Sequence, residues 1–243
     1  MPLAVVILAA GQGTRMKSDL PKVLHKAAGR PLVEHVIRAV TPLEPKHIVV
    51  VTGYKAEEVE AQLSEEDVQF ARQTEQLGTG HALLQTREAL QDFDGAVMVL
   101  NGDGPLLKTE TLRQLFQTQR DSDAGMTLIT CEVADPTGLG RIIRKEDGSV
   151  AKIVEAKDAT PEEREIREIN PGIYIFDKEV FKVAKDLSSD NAAGEYYITD
   201  LVDLYLRAGR RVQAVKTPDE TEVLAVNDRD QLARVEEILL ARS

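Results

Sequence analysis

Residues 3–8, LAVVIL, form a continuous apolar run that ends directly in the glycine stretch AAGQG. A run with no polar alternation suits a strand buried on both faces, as at the centre of a parallel sheet. Parallel strands need crossover connections, and the sequence supplies them. Pro31 can open a helix at its first position, after which Leu32, Val33, Val36, Ile37 and Val40 share one helical face. HIVVVT (47–52) reads as a second strand and AEEVEAQL as a short helix. Thr79 is placed to cap a helix running through GHALLQTREAL, and GAVMVLNGD gives a third strand ending at Asn101-Gly102-Asp103. Strands alternating with helices predict an α/β chain with a Rossmann-like, mostly parallel mixed sheet flanked by helices. Beyond residue 124 the pattern changes. GMTLITCEV, GRIIRK, SVAKIVEA and GIYIFD are short strands separated by turns, so a smaller β-rich extension is expected to cover one end of the first sheet. Helical patterns return at YITDLVDLYLRAG and RDQLARVEEILLARS.

The 243 residues are 42% hydrophobic and 29% charged, ordinary for a globular chain. A net charge of -11 argues against a general nucleic-acid binder. An acidic protein that binds phosphates must gather its cations locally or recruit a metal. Cys131 is the only cysteine, so no disulfide can form within the chain, and its run MTLITCEV predicts a buried thiol. The N-terminus lacks the basic flank of a signal peptide. No stretch approaches the ~18 apolar residues of a membrane span, so a cytoplasmic protein is expected.

Three constellations carry chemistry. LAAGQGTRMKS, residues 8–18, approaches two phosphate-binding signatures, and Met16 stands where each requires a glycine. That loss counts against a dinucleotide-binding dehydrogenase, whose third glycine allows close helix–strand packing. Gly11 and Gly13 nevertheless let backbone N–H groups approach phosphate oxygens, and Arg15, Lys17 and Lys22 cluster with them, which points to a polyanion such as a triphosphate. Asp103 lies past the end of another strand, on the sheet edge where ligands bind, and a carboxylate beside a triphosphate is a natural Mg²⁺ ligand. In RQTEQLGTGHA, residues 72–82, Gln73 offers a donor and an acceptor to a pyrimidine edge, while Gly78 and Gly80 permit close backbone approach.

LAAGQGTRMKSDLPK resembles the G-x-G-T-R-M-x(5-6)-P-K signature of sugar-1-phosphate nucleotidyltransferases. EQLGTGHA, NGD, DPTGLGRIIR, IVEAKDAT, EINPGIYIF, NAAGEYYITDL and VND then recur in the order of one branch: the uridylyltransferase domains of bifunctional enzymes that make UDP-N-acetylglucosamine, a peptidoglycan precursor. The resemblance implies the nucleotide-diphospho-sugar transferase fold, with a nucleotidyltransferase domain over residues 1–227 and a linker helix over 228–243. It implies catalytic roles for Arg15 and Lys22. It places UTP against Leu8, Ala9, Ala10, Gly11, Gly13, Gln73, Gly78 and Thr79, and Mg²⁺ on Asp103 and Asn227. It places N-acetylglucosamine 1-phosphate against Asn101, Gly102, Gly140, Glu155, Asn170 and Asn227, with Thr137 nearby. The chain departs from the branch at Asn101, often aromatic there, and at Leu139, where tyrosine is common. The hexapeptide repeats of the acetyltransferase half do not occur in it, so no acetyl-CoA site is expected in this chain. The alternatives are uridylyl or thymidylyl transfer to glucose 1-phosphate, and a non-catalytic sugar-nucleotide sensor. Retention of Arg15, Lys22 and Asp103 together speaks against the sensor.

Overall fold

A computed structural model describes residues 1–242. The strands in chain order are β1 (Leu3–Ala9), β2 (Lys26–Ala27), β3 (Arg30–Pro31), β4 (His47–Thr52), β5 (Gln69–Arg72), β6 (Ala96–Asn101), β7 (Ala124–Glu132), β8 (Gly140–Arg144), β9 (Val150–Val154), β10 (Glu168–Asn170), β11 (Tyr174–Phe176) and β12 (Arg211–Thr217). Ten of them form one sheet in the order β5-β4-β1-β6-β11-β7-β10-β8-β9, with β12 paired to β7, while β2 and β3 form a small separate hairpin. The helices are α1 (Leu32–Val40), α2 (Ala56–Gln62), α3 (Thr79–Gln85), α4 (Thr109–Arg120), α5 (Pro161–Arg164), α6 (Val180–Val183), α7 (Leu201–Arg207) and α8 (Arg229–Arg242).

β1 is the hub of the parallel half, paired with β4 on one side and β6 on the other. Its apolar run is buried on both faces, as expected. Ala4 and Val6 enter one core with Leu83 of α3 and Leu201 and Val202 of α7. Val5 and Ile7 enter another with Val33, Val36 and Ile37 of α1 and Leu112 and Leu115 of α4. Successive strand residues point to opposite faces, so an unbroken apolar run fits only a strand covered by helices on both sides.

The β-rich segment does not cover one end of the first sheet but continues it. β11 joins β6 antiparallel, with Tyr174 opposite Val99, and β7 joins β11. The reason is that β6 has a free edge, and all three residues of β11 are buried, so that strand too is covered on both faces. Two helix boundaries also differ. Pro31 is the residue before α1, not its first residue. α3 stops at Gln85 because the buried Thr86 hydroxyl donates back to the Leu83 carbonyl at 2.7 Å and the chain tightens there. Cys131 is fully buried, and burial pushes its thiol above the ordinary range. No helix among the described residues is long and apolar enough to cross a membrane.

Candidate active site

β1, β4 and β6 run parallel, so Ala9, Thr52 and Asn101 end on one edge of the sheet. A cleft of about 290 Å³ opens there. It is lined by Leu8, Ala9, Ala10 and Gly11 from the end of β1, by Lys22, Gln73, Gly78 and Thr79, and by Asn101 and Asp103. All of these are sequence-predicted. Val23, Gln76, Ala82 and Glu195 line it too, and were not expected. Gln76 lies in RQTEQLGTGHA and Glu195 in NAAGEYYITDL, both stretches singled out in the sequence.

The glycine loop presents donors. The backbone N–H groups of residues 11–15 have no partner among the described residues. Gly13 sits at φ +69°, and a Cβ there would lie 2.5 Å from Lys22 Cβ. Glycine therefore lets Lys22 lie against the loop. Met16 is fully buried in an apolar cluster with Ala27, Leu32, Val226 and Val235 of α8. The residue that breaks both glycine signatures is thus a packing residue that pins the loop from beneath. Arg229 of α8 adds a second clamp, donating to the carbonyls of Met16 and Lys17 at 3.3 and 3.4 Å. Arg15 lies between these anchors, exposed and without a side-chain partner among the described residues.

Lys22, Asp103 and Asn227 meet although far apart in sequence. The Lys22 ammonium donates to Asp103 Oδ2 and, at 3.2 Å, to Asn227 Oδ1. The Val226 N–H donates to the Asp103 carbonyl at 2.9 Å, which sets Asn227 beside the carboxylate. Asp103 Oδ1 is buried without a partner. A carboxylate and an amide oxygen, one carboxylate oxygen unsatisfied, form a hard-cation donor set. No group of three or more His, Cys, Asp or Glu side chains among the described residues could hold a metal. A cation held here must complete its shell with phosphate and water, which is the habit of Mg²⁺.

Gln73 and Thr79 both make contacts within the protein. Gln73 Nε2 donates to the Gly78 carbonyl and faces His81 Nδ1, both at 3.0 Å. One amide hydrogen is therefore committed to the Gly78 carbonyl, while the direction of the His81 contact follows the ring's tautomer, since Gln85 Nε2 faces His81 Nε2 at 3.1 Å; the Gln73 side-chain oxygen has no partner among the described residues. Thr79 does not cap α3; its hydroxyl accepts from the Ile198 N–H at 3.1 Å. Gly78, at φ +106°, is the residue before the helix, and a Cβ there would meet the Tyr196 carbonyl at 2.6 Å. The glycine segment is thus clasped to residues 195–198.

The residues expected to face a sugar gather near Asn101 at the cleft. β8 and β10 pair Gly140 with Asn170. A Cβ at Gly140 would lie 3.5 Å from Glu155 Oε2 and 3.6 Å from Asn170 Cβ. Asn170 donates to the Tyr174 hydroxyl at 2.6 Å and accepts from the Gly172 N–H at 3.2 Å. Asn101 leans over Gly172 and donates to the Pro171 carbonyl at 3.5 Å. Two residues fall elsewhere. Gly102 packs under the cleft, its N–H donating to the Leu8 carbonyl at 2.9 Å. Thr137 lines a separate cavity.

Burial pushes the Glu155 carboxyl above the usual carboxylate range, and Asp200, Asp158 and Glu195 add to the effect. The Thr199 hydroxyl, donating at 3.0 Å, opposes it. A carboxyl with a raised folded-state pKa binds more protons native than unfolded, so its effect on stability worsens as pH rises through that window. Glu155→Gln keeps an acceptor for Thr199 and removes the charge. The variant should melt above the parent at pH 7.5, with the difference shrinking toward pH 4. Thermal melts across that range check it, and an equal or lower melting temperature at pH 7.5 contradicts it.

The chain matches the Nucleotidyl transferase family over residues 4–221. It is 52% identical over 243 residues to the bifunctional protein GlmU of Pelotomaculum thermopropionicum, covering 100% of this chain and 53% of that protein. It is 48% identical over 238 residues to the bifunctional protein GlmU of Streptococcus suis, covering 98% of this chain and 52% of that protein. The chain therefore spans about half the length of the curated relatives it matches. A Bacillus anthracis crystal structure, assigned as a glucose-1-phosphate thymidylyltransferase and holding sucrose, superposes with a TM-score of 0.80 at 21% identity, over 97% of this chain and 94% of that one. That likeness shows the nucleotide-diphospho-sugar transferase fold. Taken with the family match and the relatives at about half identity, it means that the chain belongs to the nucleotidyl transferase family.

Proposed function

We propose that the chain transfers the uridylyl group of UTP to N-acetylglucosamine 1-phosphate, releasing pyrophosphate. The observation that carries this is the meeting of Lys22, Asp103 and Asn227 at the mouth of a glycine loop whose N–H groups are unpartnered. An oxygen of the sugar phosphate attacks the α-phosphorus in line. The new P–O bond forms as the bond to the bridging oxygen breaks, and the electron pair leaves with pyrophosphate. No protein nucleophile and no proton transfer are needed, so the work is positioning and charge neutralisation.

The loop N–H groups take the triphosphate oxygens, and Arg15 is free to fold over them. Lys22 neutralises Asp103 in the ligand-free chain and turns to phosphate when substrate enters. Asp103 and Asn227 would hold Mg²⁺, which would supply charge neutralisation on both phosphates. The Gln73 oxygen accepts from uracil N3–H, a donor that cytosine lacks. Gly140, Glu155 and Asn170 offer an open backbone and polar side chains to the hexose.

The test is pyrophosphate release with UTP and a panel of sugar 1-phosphates. N-acetylglucosamine 1-phosphate should exceed glucose 1-phosphate in kcat/KM, because a site built for polar groups leaves its own groups unpaired when the ligand lacks them. A single lost polar contact should cost roughly tenfold or more. A ratio at or below one moves the enzyme to the glucose 1-phosphate branch. No release with any sugar phosphate ends the proposal.

A further inference from the structure

Behind the sugar side of the cleft lies a second cavity of about 600 Å³. Its charged lining is Arg141, Lys157, Arg164 and Arg167, against one carboxylate, Glu165. Such a cluster of cations stands out in a chain of net charge -11. Lys157, Arg164 and Arg167 are exposed, and no side-chain ion pair engages them among the described residues. Arg141 is different, being only 3% exposed. Its guanidinium donates to the Leu139 carbonyl and, at 3.3 Å, to the Arg164 carbonyl. Its Nε is buried with no hydrogen-bond partner.

A buried guanidinium normally has a carboxylate or a full set of acceptors, since a desolvated charge left unpaired is costly. Arg141 has no carboxylate hydrogen-bonded to it, and its Nε–H has no acceptor. The nearby Asp135 carboxylate is held low chiefly by the Thr137 hydroxyl and N–H, the latter at 3.0 Å, with the Arg141 charge contributing less. From this geometry we infer that the cavity is a binding site for a phosphate group. Arg141 lines it with a guanidinium whose Nε–H lacks a partner, and Lys157, Arg164 and Arg167 supply further charge. Guanidinium forks match phosphate oxygens, and four cations around one carboxylate favour a dianion over a monocarboxylate. The site is separate from the triphosphate loop and independent of the proposed reaction. Arg141 directly follows Gly140 on β8.

Side-chain NMR of the arginine Nε–H groups tests this, with Arg141→Lys identifying the Arg141 signal. Titrating the protein with inorganic phosphate should shift that signal saturably. The double variant Arg164→Ser/Arg167→Ser, altered only at exposed positions, should bind at least tenfold more weakly. Lys22→Ala should leave the titration as it is, because Lys22 belongs to the other cleft. A parallel titration with glycerol 3-phosphate separates the two sources of the group. Tighter binding of the ester supports a phosphorylated metabolite, and tighter binding of the ion supports free phosphate. Absence of a saturable shift overturns the site. So does a shift that survives the double variant, one that vanishes with Lys22→Ala, or an equal response to acetate.

Discussion

Asp103→Ala should abolish most turnover and leave the fold standing. The carboxylate is bonded only to Lys22, and its other oxygen has no partner, so no core contact depends on it. The backbone link that matters to the fold, Val226 N–H to the Asp103 carbonyl, survives the substitution. What is lost is the charge that holds Lys22 and that is proposed to hold the cation. Removing one preorganised electrostatic group from an active site costs roughly 10²–10³ in kcat. Asp103→Asn keeps the shape and loses the charge, so it should fall between the parent and Asp103→Ala. Turnover measured against Mg²⁺ concentration, with a thermal melt of each variant, checks both halves. Near-normal activity of Asp103→Ala at limiting Mg²⁺ contradicts the cation assignment. A collapse in melting temperature shows that the side chain is structural.

The central sheet was legible because its signal is local. LAVVIL, HIVVVT and GAVMVLN are apolar runs with no alternation, and only a doubly covered strand accommodates them. The place of β11 was not legible, since nothing in GIYIF says that it will pair with β6 across more than seventy residues of chain. Neither was β12, because RVQAVKT has few apolar residues and is held by its parallel pairing to β7. In the candidate site, the sequence singles out chemistry-bearing residues in glycine-rich stretches but not the contacts they make. Gln73 offers a donor and an acceptor, yet the Gly78 carbonyl takes one of its hydrogens and His81 faces the same nitrogen. Met16 reads as a failed phosphate signature until its burial beside Val235 shows it to be the loop's anchor. Such roles are set by contacts between distant segments, which local composition does not encode.

The two loop glycines should behave differently when each is changed to alanine. At Gly13 the backbone is left-handed, φ +69°, which costs an L-residue about 1 kcal/mol. A Cβ there would also sit 2.5 Å from Lys22 Cβ, inside any allowed contact. The neighbour is the root of the Lys22 side chain, not its flexible end, so the loop or Lys22 must move. Displacement of about 1 Å at a reacting centre costs roughly 10²-fold, so Gly13→Ala should lose about that much in kcat/KM. Relieving the overlap adds to the backbone cost, so its melting temperature should fall by at least the roughly 2–4 °C that about 1 kcal/mol moves a domain of this size. Gly11 has no atom within 4 Å of its added Cβ, and its φ is not left-handed. Gly11→Ala should therefore melt with the parent. If the triphosphate lies against this backbone, as proposed from the unpartnered N–H groups of residues 11–15, the added methyl meets phosphate and activity falls while stability does not. An active Gly11→Ala with unchanged KM for UTP would move the triphosphate away from the loop. An active Gly13→Ala would mean that Lys22 need not hold its position, and the catalytic role assigned to it would fail.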